Sequence, residues 1–114
     1  MAVYVDDIGI PATVGRFTSR WSHLIADTQE ELHEFAKRLG LQRSWFQDPG
    51  ATGSPAEPGS RELEFWHYDV TEGKRLRAIQ LGAVAISFRD LPEIIDRRVQ
   101  AREQRPGGLQ EGLF

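Results

Sequence analysis

Two hydrophobic periods alternate along this chain, and they predict short strands separated by amphipathic helices. Val3-Tyr4-Val5 reads as a short buried strand that delivers Asp6 and Asp7 at its carboxyl end. Gly9, Pro11 and Gly15 then predict a loop carrying Arg16 and Arg20, and the apolar run from Trp21 to Ala26 predicts a second strand with His23 inside it. Thr28 and Glu31 have the spacing of a capping box, and Leu32, Phe35, Ala36 and Leu39 recur at helical intervals until Gly40. Trp45-Phe46 suggests a third short strand with Gln47 near its end. Glycine and proline dominate positions 48–60, which predicts a loop placed to act as a lid if a site lies beside it.

Leu63 to Tyr68 predicts a strand leading into a helix over Thr71 to Leu81, with Leu76, Ile79 and Ala83 toward the core and Gly82 as the stop. Ala83 to Phe88 is the strongest strand pattern in the chain. Asp90, with Pro92 in the first turn and Glu93 at the capping-box position, predicts a third helix whose apolar face is Leu91, Ile94, Ile95 and Val99. This order predicts a small single α/β domain over residues 1–104, a short, mostly parallel sheet of about four or five strands with three helices, and a flexible tail over 105–114. His23, Thr28 and Gly40 are echoed by His67, Thr71 and Gly82 at similar spacing, a recurrence of strand-helix-strand grammar.

Composition narrows the chemistry. With 114 residues, 39% hydrophobic and 27% charged, the chain suits one soluble globular domain and does not suit disorder. Its net charge of -3 argues against a protein that coats nucleic acid, while leaving room for a local basic patch. Cysteine is absent, so disulfides, thiolate metal sites and thiol nucleophiles are excluded. No basic leader precedes a long apolar stretch and no run reaches the length of a membrane span, so the expected location is cytoplasmic.

The densest polar chemistry is His67-Tyr68-Asp69, followed by a helix that opens at Thr71 and carries Lys74 and Arg75 in its first turn. Helix amides and two cations suit a phosphate or carboxylate, so Tyr68, Asp69, Thr71, Lys74 and Arg75 are candidate ligand-binding residues. The same residues also fit an ordinary helix cap with solvated cations. Asp6, Asp7, His23 and His67 form the candidate catalytic set, with His67 or His23 moving protons. Asp6, Asp7 and His67 are the candidate ligands for a divalent metal, against which stands the structural use of paired aspartates in turns. Ser22 and His23 should face opposite sides of a strand, and His33 is expected at the surface. At least two of Trp21, Trp45 and Trp66 are expected in the core, and Arg97, Arg98, Arg102 and Arg105 are expected to form a solvated cationic face.

Val3-Tyr4-Val5-Asp6-Asp7, Trp21 to Asp27, His67-Tyr68-Asp69 with Lys74-Arg75, and Gly82-Ala83-Val84 stand in an order that resembles a family known as domain of unknown function 4031. The resemblance covers about residues 1 to 88 and implies a small soluble protein of bacteria or their phages, with no activity to carry over. The residues themselves point to binding, and in an enzyme to metal-assisted hydrolysis, of a phosphorylated or nucleotide-like ligand. The alternative is a non-catalytic adaptor that uses its charged helix face or the 48–60 loop.

Overall fold

In a computed structural model describing residues 2–50 and 60–104, three helices cover both faces of a five-stranded sheet. β1 (Val3–Val5) and β2 (Ile10–Val14) lie along one edge of the long β3 (Phe17–Ala26). β4 (Tyr68–Val70) lies along the other, because Leu24 pairs with both Val5 and Tyr68. β5 (Val84–Ala85) adds to β1 in parallel. The other three pairings are antiparallel, so the sheet is mixed and mostly antiparallel, not mostly parallel as expected.

The source of that difference is the segment read as a loop. Gly15, at φ 59°, opens a two-residue turn that folds Val14 back against Phe17, making a β-hairpin in which Ile10–Val14 pairs with residues 17–21. Pro11 is tolerated because β2 is an edge strand. Between Val5 opposite Leu24 and Ile10 opposite Trp21, residues 6–9 bulge against only Ser22 and His23.

α1 (Gln29–Leu39) begins and ends as its pattern predicts. The Thr28 hydroxyl accepts from the Glu31 amide, and Gly40 closes the helix at φ 87°. α2 (Glu72–Gln80) is capped by Thr71, but its core contacts come from Ala78 and Ile79, while Leu76 is 53% exposed. α3 (Leu91–Gln104) is preceded by a 3-10 turn in which Ser87 and Asp90 form the capping box, three residues earlier than Asp90 and Glu93 would place it.

Other strand expectations shorten or change. Arg43–Trp45 is a 3-10 turn, and Gln47 makes an isolated bridge with His67. Arg61–Glu64 is also a 3-10 turn, so the strand starts at Tyr68 instead of ending there. Only Val84 and Ala85 of the apolar run 83–88 pair in the sheet, and both are exposed. Of that run, Ala83 packs with Leu24 and Tyr68 in one core cluster and Ile86 against Ile25 and Ile94 in another, while Val84 and Phe88 stay exposed.

Strand alternation divides the core. Val5, Leu24, Ala26, Tyr68 and Val70 point toward α1 and α2, while Ile25 points toward Leu91 and Ile94 of α3, with Tyr4 and Phe65 alongside. α3 is fastened by Arg98, expected on a solvated face but only 4% exposed. Its guanidinium donates to the carbonyls of Ala26, Glu64 and Trp66 and lies 3.3 Å from the centre of the Trp66 ring. Burial pulls its pKa down to about 10, partly offset by Glu64 and Asp27, so it stays charged at neutral pH.

Of the three tryptophans only Trp66 is in the core; Trp21 is half-buried and Trp45 is 46% exposed. Residues 51–59, which make up most of the expected lid, and the expected tail 105–114 lie outside the described residues. No helix among the described residues is long and apolar enough to cross a membrane.

Candidate metal centre

The α3 side of the sheet collects the polar residues that alternate with core positions. Asp6 follows β1, His23 lies in β3, and His67 and Asp69 flank Tyr68 at β4, so all four project to one face. His23 is the direct cross-strand partner of Asp69. The rings of His23 and His67 meet edge to face at 4.9 Å, and Phe65 stacks on His67 at 4.5 Å. His23, His67 and Asp69 each offer a ligand atom within 4.8 Å of the others.

Each of these groups has its far side fixed. Asp6 is fully buried, its Oδ1 accepting from the His23 amide at 2.8 Å and its Oδ2 from the His23 ring Nδ1 at 2.7 Å. A carboxylate only accepts, so Nδ1 carries a proton, and in the neutral ring Nε2 is the atom with the lone pair. His67 Nδ1 donates to the Phe65 carbonyl at 2.9 Å, which turns His67 Nε2 toward Asp69 Oδ1 at 3.3 Å. Asp69 Oδ2 accepts from the Gln47 side-chain amide. Burial alone would raise the Asp69 pKa, but hydrogen bonding and charge from His67, with the Gln47 hydrogen bond and the charge of His23, hold it below the usual carboxylate range.

His67 Nε2 and a carboxylate oxygen thus face one another, an arrangement satisfied by a proton on the ring or by a cation between them. For bonds of about 2.1 Å, tetrahedral ligation spaces ligand atoms roughly 3.4 Å apart. The His67–Asp69 separation already matches that spacing, and His23 offers a ligand atom within 4.8 Å of both. Two imidazoles and a carboxylate suit zinc, manganese or iron(II) and leave coordination positions open for water and substrate. The chemistry such a set can perform is Lewis-acid activation of an oxygen and ionisation of a bound water.

Not every sequence candidate joins this group. Asp7 turns away, and its Oδ1 accepts from the Phe88 amide at 2.8 Å. Tyr68 lies on the opposite face, 1% exposed, with its hydroxyl 2.9 Å from His33 Nδ1. Burial holds its phenol above the ordinary range, partly countered by Arg43. Thr71 caps α2, and Lys74 Nζ donates to the Leu39 carbonyl at the end of α1. Arg75 Nε donates to the Asp6 carbonyl at 2.7 Å, so it supports the bulge from the α2 side.

A cavity of about 200 Å³ lined by Arg75, Arg20, Asp7, Glu72 and Ser22 lies at that point. A larger cleft of about 780 Å³ opens between the start of α1 and the end of α3, where His33, Arg43, Glu64 and Arg102 meet. His33, expected at the surface, packs edge to face on Phe46, and its Nε2 is buried without a partner. The expected cationic face of α3 is largely consumed. Arg98 is buried, Arg97 reaches Asp27 and the Tyr4 hydroxyl, Arg102 pairs with Glu64, and Arg105 lies outside the described residues.

Sequence reasoning missed Gln47 and the use of Asp69 as a candidate metal ligand. The signal available was the period of two through His67 and Asp69, which separates them from Tyr68. No curated protein and no solved structure matches the chain. The family described as protein of unknown function (DUF4031) matches residues 3–98, reaching into α3 beyond the expected limit near residue 88, and the chain belongs to that family.

Proposed function

We propose that the protein is a metal-dependent hydrolase acting on a phosphorylated or nucleotide-like ligand, with a divalent ion held by His23 Nε2, His67 Nε2 and Asp69. The observation that carries this reading is the set of outward hydrogen bonds. Both histidines give Nδ1–H to an acceptor, His67 aims Nε2 at Asp69, and His23 offers a ligand atom within 4.8 Å of both, the outer-shell pattern that orients metal-bound imidazoles. Asp6 thus acts behind His23 and not on the metal.

A bound ion would supply Lewis acidity and an ionised water. In hydrolysis of a phosphate ester the water oxygen bonds to phosphorus and the ester P–O bond breaks. The leaving alcohol takes up a proton, and the water proton passes to solvent or a nearby carboxylate. Asp69 is the most exposed of the three proposed ligands, with 38% of its side chain open, and marks the side from which a ligand would approach.

The test is metal titration of chelator-treated protein with zinc and manganese, followed by assay on p-nitrophenyl phosphate and bis-p-nitrophenyl phosphate. One ion per chain and metal-dependent release of nitrophenol are expected, both lost in His67→Ala. Binding that persists in both His67→Ala and His23→Ala would end the proposal.

A further inference from the structure

The β2–β3 hairpin is the part of the fold with least explanation in packing. All five residues of β2 are exposed, and a two-stranded hairpin alone is marginal in water. Its cross-strand pairs place Ile10 with Trp21, Ala12 with Ser19, and Val14 with Phe17 on one face. Ile10, Val14 and Phe17 are 50%, 57% and 59% exposed, a concentration of apolar surface that calls for a ligand.

Three further observations identify its chemistry. First, residues 8–22 contain Arg16 and Arg20 and no acidic residue, in a chain whose net charge is -3. Second, the Trp21 indole is tied across the hairpin by its Nε1, which donates to the Ala12 carbonyl at 3.0 Å. An indole held this way is a pre-ordered stacking surface. Third, β3 is continuous from Phe17 to Ala26, so Phe17, Ser19, Trp21 and His23 follow one another on the same face. The hairpin face therefore runs into the candidate metal centre over a path of roughly 20 Å.

We infer that this hairpin holds a single-stranded nucleic acid, with bases stacked on Phe17 and Trp21 and a phosphate near Arg16 at the turn, while Arg20 faces the α2 side and donates to the Gly9 carbonyl. Exposed aromatic faces beside a cation are the combination that single strands use, whereas a duplex keeps its bases stacked internally. The inference deepens the functional reading above by naming its ligand class. It rests on that reading for what happens to the strand at His23, His67 and Asp69, and not for capture of the strand by the hairpin.

The experiment is fluorescence anisotropy of the full chain with a labelled single-stranded oligonucleotide of mixed sequence, in chelator, as DNA and as RNA, beside the matching duplex. Single strands should bind more tightly than duplex, with a logarithmic salt slope of roughly -0.7 if one phosphate is neutralised. Phe17→Ser should weaken binding at least about five-fold, and Arg16→Glu should weaken it and flatten the salt slope. Both positions are exposed, and unchanged melting temperatures show that the variants fold.

Absence of single-strand binding at low salt overturns the inference, as does equal binding by wild type and both variants. A wild-type dimer that Phe17→Ser converts to monomer, without oligonucleotide binding, also overturns it and assigns the face to a second copy of the chain. Because the measurement excludes metal, failure here leaves the metal titration standing. Oligonucleotide binding without any metal binding would leave the hairpin as a capture surface and remove the hydrolase.

Discussion

Replacing Asp6 with asparagine isolates the orienting hydrogen bond from the proposed metal ligands. The carboxylate makes two strong contacts, to the His23 amide at 2.8 Å and to the His23 ring at 2.7 Å. An asparagine oxygen can keep the amide contact, but its NH2 group then faces His23 Nδ1, which must become an acceptor. The ring proton moves to Nε2, the proposed ligand atom, and the ligand position is blocked. Loss of such an outer-shell partner typically weakens metal binding about 10- to 100-fold, or roughly 1.4 to 2.7 kcal/mol.

Competition against a chromophoric chelator measures that change directly, with His67→Ala as the variant that removes a proposed ligand outright. Asp6→Asn conserves volume, so its melting temperature in chelator should move by less than about 8 °C, the shift produced by roughly 1 kcal/mol in a domain of this size. Metal affinity unchanged within two-fold in Asp6→Asn, while His67→Ala loses it, would refute the orienting role of Asp6. Equal loss of folding in both variants would instead make the cluster structural.

Arg98→Met removes the donor from three backbone carbonyls and the cation from the Trp66 face, and should cost about 3 to 5 kcal/mol in urea unfolding. The His33 pKa is lowered by burial first and by Arg43 second, with Asp48 opposing, so the folded state holds the neutral ring. The unfolded chain then binds more protons below its ordinary value near 6.5, and stability is full above about pH 6.5 and falls as pH drops toward the folded-state value. Thermal melts between pH 5 and 8 should show that dependence and lose it in His33→Gln. Gly40 sits at φ 87°, where an added Cβ would lie 3.1 Å from Lys74 Nζ, so Gly40→Ala should lower stability by about 1 to 2 kcal/mol by chemical denaturation.

What the sequence made legible follows the range of the forces involved. α1 was readable to its caps, because Thr28, Glu31 and Gly40 act within one turn of the residues they terminate. The hairpin was not, because Gly9, Pro11 and Gly15 read as loop punctuation, and only the tertiary partnership of β2 with β3 makes the segment between them a strand. Arg98 looked like one of four surface cations, and nothing local distinguishes the one whose donors meet three carbonyls from distant segments. His23, His67 and Asp6 were identifiable as reactive types, and their meeting in space was expected. His67-Tyr68-Asp69 is contiguous in sequence but not one convergent unit, because alternation sends Tyr68 into the opposite core.

That alternation ties the candidate site to the fold itself. A one-residue slip of β4 against β3 would turn Tyr68 toward α3 and send His67 and Asp69 among Leu24, Val5 and Leu32, exchanging a polar cluster for an aromatic ring and burying two ionisable groups. Register is held at one end by the reciprocal Gln47–His67 backbone hydrogen bonds and at the other by the Thr71 cap that starts α2. Gln47 acts twice, pairing its backbone with His67 and its side chain with Asp69, so the bridge that aligns the strand also aims the carboxylate. The His-Thr-Gly echo between the two halves does not require duplication for this. Two copies of a strand-helix unit in one sheet would set their strands parallel, whereas β3 and β4 run antiparallel, and it is this opposition that puts His23 directly across from Asp69.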